Sequence, residues 1–381
     1  MSHRLRLYAM PGSLYAAKTR AYLRKQHIIF DEIPVGDPAF RQVMKTVGRF
    51  IMPVIEMADG TIVQDNVDII DHVEASGLAI LSAYPATPVQ RIISMIFELF
   101  GGEGLLRPAM HYRWNFDDQN LGFLRRDFVA ALAPGADEER GDAVFANASG
   151  LMRKAGSAFG VTPETFHTVE ASYARFLGLF NAHLQTVPYL LGGKPTVGDY
   201  GLIGPLYAHL ARDPAPASLM KATAREVWRW TERMNAPEPA LDGFRDRGED
   251  LIADDRIPET LLPLLGFIAE DWLPELAAHT AFANQWLAEN PDIPAGTNGL
   301  PNPGGRMIGF APFSWRGHEI STAVMPYRFW MLQRIQDAFA AITPEAQARV
   351  RIILDDAGLG DMLSLRTNRR VERRNHLEVW A

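Results

Sequence analysis

Apolar and polar positions alternate with period two over Arg4 to Met10 ("RLRLYAM"), which predicts a half-buried strand. Pro11-Gly12 turns the chain, and Ser13 opens a predicted helix lasting to about Gln26. "IIFDEIPV" (Ile28 to Val35) reads as a second strand. One helix separates the two strands, so they should lie parallel in a βαβ unit. Asp37-Pro38 starts a helix to about Thr46, and "MPVIEMADGTIVQ" (Met52 to Gln64) reads as two short strands around Asp59-Gly60, a hairpin signal. "DNVDIIDHVEAS" (Asp65 to Ser76) closes the segment as an amphipathic helix.

From about Leu78 the pattern is helical, over Pro88 to Phe100, Leu121 to Leu132, Phe145 to Phe159, Pro163 to Thr186, Val197 to Ala211 and Leu219 to Met234. Thr162-Pro163-Glu164 has the form of a cap followed by proline at the first helical position. Thr196-Val197-Gly198-Asp199 has capping-box spacing, with Asp in place of Glu or Gln. "APGADEERGD" (Ala133 to Asp142) reads as an exposed loop. Beyond about Ala240 the pattern predicts helices with internal prolines and a long Pro/Gly/Asn loop from Pro291 to Gly309. A helix kinked at Pro326 should follow over His318 to Ile342, and a last one is capped by Thr343 and stops at Gly358. The basic C-terminus, "RTNRRVERRNHLEVW", reads as a solvated helix face or a subunit contact.

Composition narrows the function classes. The 381 residues carry a net charge of -7, which argues against a nucleic-acid footprint. There is no cysteine, so disulfides, thiolate metal sites and a cysteine nucleophile are excluded, and thiol chemistry would need a ligand's thiol. Ten histidines lack ligand spacing, so no metal site is expected. "LLGGKP" lacks the spacing of a phosphate loop. With no signal-peptide pattern at "MSHRLRLYAM" and no run of about 20 apolar residues, the expectation is a cytoplasmic protein without membrane contact.

The βαβ–ββα module with a proline opening its third strand, followed by helices, resembles the cytosolic glutathione transferase superfamily. "IMPVIEMADGTIVQDNVDIIDHVE" is similar to that family's stretch from its cis-proline to the helix binding the γ-glutamyl end of glutathione. "PYLLGGKPTVGDYGLIGPLYAHL" is similar to its Leu-Gly-Gly and Thr-x-x-Asp hallmark. The resemblance covers about Leu5 to Met234. It implies a thioredoxin-like α/β domain over 1–77 and an all-helical domain over 78–240. Residues 241–381 would form extra helices of unknown role. It also implies a homodimer with glutathione as co-substrate, a small electrophilic or apolar second substrate, and a detoxifying activity.

Glutathione has a thiol that is only a few per cent ionised at neutral pH, so an enzyme using it must favour the thiolate. Counting back from Arg20, the family's tyrosine position falls on Ala9 and its serine or cysteine position on Ser13. The resemblance therefore implies that Ser13 donates to sulfur, beyond the helix cap that any serine there would form. Tyr15 competes for the same sulfur, and Tyr8 reads as core. The backbone of Met52, before a cis Pro53, would pair with the cysteinyl part of the peptide. Asp65-Asn66 would take the γ-glutamyl ammonium and carboxylate, although the family pair is an acidic residue then serine. Arg49, or Lys45, would meet the glycyl carboxylate. Tyr112, Arg113 and Trp114 would line the second-substrate pocket, unless they pack as helix core. On the same site a glutathione-dependent lyase, dehalogenase or peroxidase is an alternative, as is a non-catalytic binding protein with this fold.

Overall fold

The computed structural model describes residues 4–238, 243–244, 248 and 250–381. The predicted boundary between residues 240 and 241 lies outside the described residues. The chain begins with β1 (Leu5–Ala9), α1 (Leu14–Lys25), β2 (Phe30–Pro34) and α2 (Pro38–Val47), then β3 (Val54–Glu56), β4 (Ile62–Gln64) and α3 (Asn66–Ala75). The four strands form one sheet in the order β2-β1-β3-β4, with β1 and β2 parallel and the other pairs antiparallel. The hydrophobic pattern implied this element order, and the resemblance implied its thioredoxin-like arrangement.

The register fixes what meets at one end of the sheet. Tyr8 pairs with Val54, and Val54 with Gln64. The turn after β1, the Met52-Pro53 pair before β3 and Asp65 after β4 are therefore neighbours. The Asp65 N–H also donates to the Pro53 carbonyl, at 3.3 Å.

Helices follow as α4 (Pro88–Leu99), α5 (Leu106–Trp114), α6 (Asp117–Leu132), α7 (Glu138–Ser157), α8 (Phe166–Leu184), α9 (Val197–Ala208), α10 (Pro214–Thr223) and α11 (Arg225–Asn235). Phe100–Gly104 forms a π-helical turn between α4 and α5. Glu138 already belongs to α7, because Asp137 caps it by accepting from the Arg140 N–H; the predicted exposed loop is therefore shorter. Thr162 does not open a helix. Residues 163–165 form a turn, and α8 starts only at Phe166.

The buried helix of the predicted capping box is α9. Asp199 accepts from the N–H groups of Thr196 and Leu190, the Thr196 hydroxyl and the Trp230 indole, at 2.9–3.2 Å. Glycine lets α9 approach its neighbours closely. A Cβ on Gly201 would lie 2.4 Å from the Glu98 Cα, and one on Gly204 would lie 2.9 Å from the Leu14 carbonyl. The second contact sets α9 directly against the start of α1.

The extension is not only helical. It contains α12 (Leu262–Asp271), α13 (Leu273–Glu289), β5 (Gly309–Trp315), β6 (His318–Val324), α14 (Pro326–Ala340), α15 (Pro344–Asp356), β7 (Val371–Arg374) and β8 (Leu377–Trp380). The predicted kinked helix over His318 to Ile342 is instead β6 followed by α14, with Pro326 at its first turn. The strand pairs with β5 across Arg316-Gly317, both at positive φ. The basic terminus is likewise a hairpin, β7–β8, turned by Asn375-His376 at φ 50° and 67°. One buried apolar cluster runs from Leu5 through Trp230 and Leu265 to Met362. The extension thus packs into the same core, with α14 and α15 against α4.

Candidate active site

Ser13 stands at the N-terminus of the 12-residue α1, where its hydroxyl oxygen accepts from the Ala16 N–H at 3.3 Å. Among the described residues its proton is donated to no acceptor, so the hydroxyl both caps the helix and retains a free donor. The turn is gripped on both sides. The Gly12 carbonyl accepts from Arg113 Nη1 at 2.8 Å, and the Leu14 carbonyl lies under Gly204. Met52-Pro53 is cis, and no hydrogen bond within the described residues reaches the Met52 N–H or C=O. Both are therefore available to an added strand.

Asp65 has φ +88° and caps α3 through the Val67 N–H at 2.9 Å. Its Oδ1 also accepts from the Tyr327 hydroxyl of α14, at 3.0 Å. Asn66 is buried and lines, with Tyr15, Glu103 and Tyr327, a void of about 10 Å³, the size of a water rather than of a peptide. Arg49 is half-buried and forms a two-pronged ion pair with Glu378 of β8, at 2.8 and 3.0 Å. Burial alone would raise the Glu378 carboxyl. The Arg49 hydrogen bonds and the charges of Arg306, Arg49 and Arg373 outweigh it and bring the carboxyl down to about 2. Arg373 of β7 reaches Asp68 at 2.8 Å and the Gln64 side chain at 2.9 Å. Asp68 is pushed up to about 6 by burial first and by Asp65 second. Lys45 is exposed.

Tyr15 donates to Glu103 Oε1 at 3.2 Å, and burial with that carboxylate beside it raises its phenol far above the usual range. Its proton is thus committed to Glu103. Arg328 of α14 donates to Glu103 at 3.0 Å and to Glu275 of α13 at 2.7 Å, and Arg107 donates to Glu275 at 2.6 Å. These buried ion pairs bolt the extension to the π-helical turn and α5.

The three residues expected to line a second-substrate pocket are buried instead. Arg113 binds Asp213 at 2.7 and 2.9 Å, and Tyr112 stacks on Phe116. Trp114 packs against Phe128. Their polarity serves the helical core and, through Arg113, the Ser13 turn.

Residues 7–76 match the family model "Glutathione S-transferase, N-terminal domain". This match places a glutathione S-transferase N-terminal domain at residues 7–76. No curated relative matches the sequence. Among solved structures, the fold is similar to β-etherase LigF from Sphingobium sp. strain SYK-6, at 18% identity, 64% of this chain, 98% of that chain and TM-score 0.44. It is also similar to glutathione transferase GSTFuA3 from Phanerochaete chrysosporium, at 16% identity, 62% and 98% coverage and TM-score 0.44. A possible glutathione S-transferase from Rhodopseudomonas palustris matches at 18% identity, 67% and 100% coverage and TM-score 0.36.

The residues that sequence reasoning missed lie outside the matched domain, in the extension and the π-helical turn. Tyr327 and Glu378 sit on groups assigned to the ends of the peptide, Arg373 holds the neighbouring Asp68 and Gln64, and Glu103 holds Tyr15. The basic C-terminal stretch was a visible signal for Arg373; Tyr327 and Glu103 carried none. Among the described residues no cluster could hold a metal ion, and no helix is long and apolar enough to cross a membrane.

Proposed function

We infer that the protein is a glutathione transferase in which Ser13 holds the glutathione thiol as thiolate for attack on a small electrophilic, apolar substrate. The observation that carries this is the Ser13 hydroxyl. It has an undonated proton at a helix N-terminus, beside an unpaired Met52 backbone. One hydrogen bond and the positive helix end both favour charged sulfur. Lowering the thiol pKa from about 8.5 by roughly two units takes about 2.7 kcal/mol and turns a few per cent of thiolate into a majority. Sulfur then bonds to the electrophilic carbon, the leaving group departs with its electron pair, and the thiol proton passes to solvent. The cysteinyl part of the peptide would pair with Met52, and Asp65-Asn66 would receive the γ-glutamyl end.

The test follows glutathione consumption against an activated aryl chloride in wild type and Ser13→Ala. A fall of about 100-fold in kcat/KM, within the usual range for one lost transition-state donor, supports the role. An equally active variant refutes it. The homodimeric, cytoplasmic form belongs to the same reading, and light scattering reads the oligomer directly.

A second reading, a non-catalytic member of the family, is favoured by one observation. Tyr327 already stands on Asp65, and Glu378 on Arg49. On that reading the full chain gives no heat of glutathione binding.

A further inference from the structure

We propose that Arg306, in the loop between α13 and β5, binds the α-carboxylate at the γ-glutamyl end of glutathione while Asp65 takes the neighbouring ammonium; this rests on reading the site as a glutathione site. The loop is built to present this residue. Asn298 Nδ2 donates to the carbonyls of Asn302, Pro303 and Gly305 at 3.0–3.2 Å, which ties the chain into a compact turn just before Arg306. Gly304 in that turn packs over Arg49, where an added Cβ would lie 3.5 Å from the arginine's own Cβ. The guanidinium of Arg306 then lies 5.7 Å from the centre of the Tyr327 ring, whose hydroxyl holds Asp65. Cation and carboxylate therefore bracket a single ring.

Arg306 lacks what its neighbours have. Arg49, Arg328 and Arg373 each form an ion pair with a carboxylate. Arg306 makes none among the described residues, and its Nε, like that of Arg49, is closed off from solvent with no hydrogen-bond partner, so its whole guanidinium is without a carboxylate. A buried, unbonded guanidinium nitrogen is costly to leave unmade, which points to an acceptor that arrives with a ligand. Burial works against the charge of Arg306, and Glu378, Tyr15, Glu103 and Asp65 hold it charged. Its ring partner Tyr327 stands with Tyr15 of α1 and Asn66 of α3 around one small void.

The void beside Asn66 is the size of a water, so the amino-acid end of the peptide enters only as the Tyr327 side chain gives way, into a space of paired opposites. Asp65 offers a carboxylate, whereas Arg306 and the N-terminal end of the 10-residue α3 offer positive charge. The amino-acid end of the peptide carries one ammonium and one carboxylate on the same carbon, so it can satisfy both. The planar guanidinium fork suits the carboxylate, and the incoming ammonium replaces the Tyr327 hydroxyl on Asp65 Oδ1.

The experiment is calorimetry on the full chain with two peptides. One is glutathione. The other is 4-aminobutyryl-cysteinylglycine, which keeps the ammonium and lacks the α-carboxylate. Wild type should bind glutathione about 10- to 100-fold more tightly, the range for one charge-assisted hydrogen-bonded contact. Arg306→Gln should lose about that factor for glutathione and less than about twofold for the analogue, and Arg306→Lys should keep part of the discrimination. Equal losses for both peptides, or no loss, overturn the assignment and leave the glutathione reading standing. If Arg306→Gln fails to fold, wild type that does not discriminate between the peptides overturns it equally. If wild type binds neither peptide, the glutathione reading falls and this assignment falls with it.

Discussion

Replacing Arg113 by Gln should separate the fold's hold on the Ser13 turn from the chemistry of Ser13 itself. Arg113 makes two hydrogen bonds to Asp213, at 2.7 and 2.9 Å, and donates to the carbonyls of Gly12 and Ala208 at 2.8 and 2.7 Å. The Asp213 side chain is 0% exposed. Without its partner it becomes an uncompensated buried charge, at a cost of about 3–5 kcal/mol. Burial already pushes the Asp213 carboxyl up and Arg113 holds it back, so in the variant the carboxyl rises further. An acid whose folded pKa exceeds its unfolded value loses stability as pH rises between the two. The penalty should therefore grow by up to about 1.4 kcal/mol per pH unit and be smaller at pH 5 than at pH 7. The assay is urea unfolding followed by tryptophan fluorescence at both pH values. The double variant Arg113→Met/Asp213→Leu replaces both charges with apolar groups and should recover most of the stability. It still lacks the bond to the Gly12 carbonyl, so its glutathione turnover should stay depressed. A change below about 1 kcal/mol in Arg113→Gln, or full recovery of turnover in the double variant, would refute the argument.

Asp199→Ala removes the acceptor for two buried backbone N–H groups, a hydroxyl and an indole, and should cost about 3–5 kcal/mol in the same assay. The Glu378 carboxyl, held at about 2 against an ordinary 4.5, contributes about 3 kcal/mol that is fully present above pH 4.5 and lost as pH falls toward 2. Glu378→Gln should flatten that acid limb, as shown by melting temperatures between pH 5 and pH 2.5. An acid limb of unchanged slope would count against a paired Glu378.

The N-terminal domain was legible because its signals are local. Period-two alternation, Asp59-Gly60 and the caps Ser13, Asp37 and Asp65 each act within a few residues, and the structure places an element at each. The Thr196–Asp199 pair was legible for the same reason. The two hairpins of the extension were missed because their turns, Arg316-Gly317 and Asn375-His376, lack the usual Asn-Gly or Asp-Gly pairing. "HEISTAV" also runs into an apolar helix without a break stronger than Pro326. The burial of Arg113 depends on Asp213, 100 residues away, and the bond of Tyr327 to Asp65 spans 262 residues. No period or motif encodes such a pairing. The polarity of Tyr112, Arg113 and Trp114 is compatible with a pocket wall and with a satisfied core, and only the tertiary partners decide between them.

Whether the Ser13 hydroxyl stabilises a glutathione thiolate is read most directly from the ultraviolet thiolate absorbance of bound glutathione, titrated against pH in wild type and Ser13→Ala. Wild type should ionise bound glutathione near neutral pH. In the variant the midpoint should move up by roughly one to two units, with a much smaller change in affinity. Identical midpoints in the two proteins, or bound glutathione that ionises no more readily than free thiol at about 8.5, would contradict it.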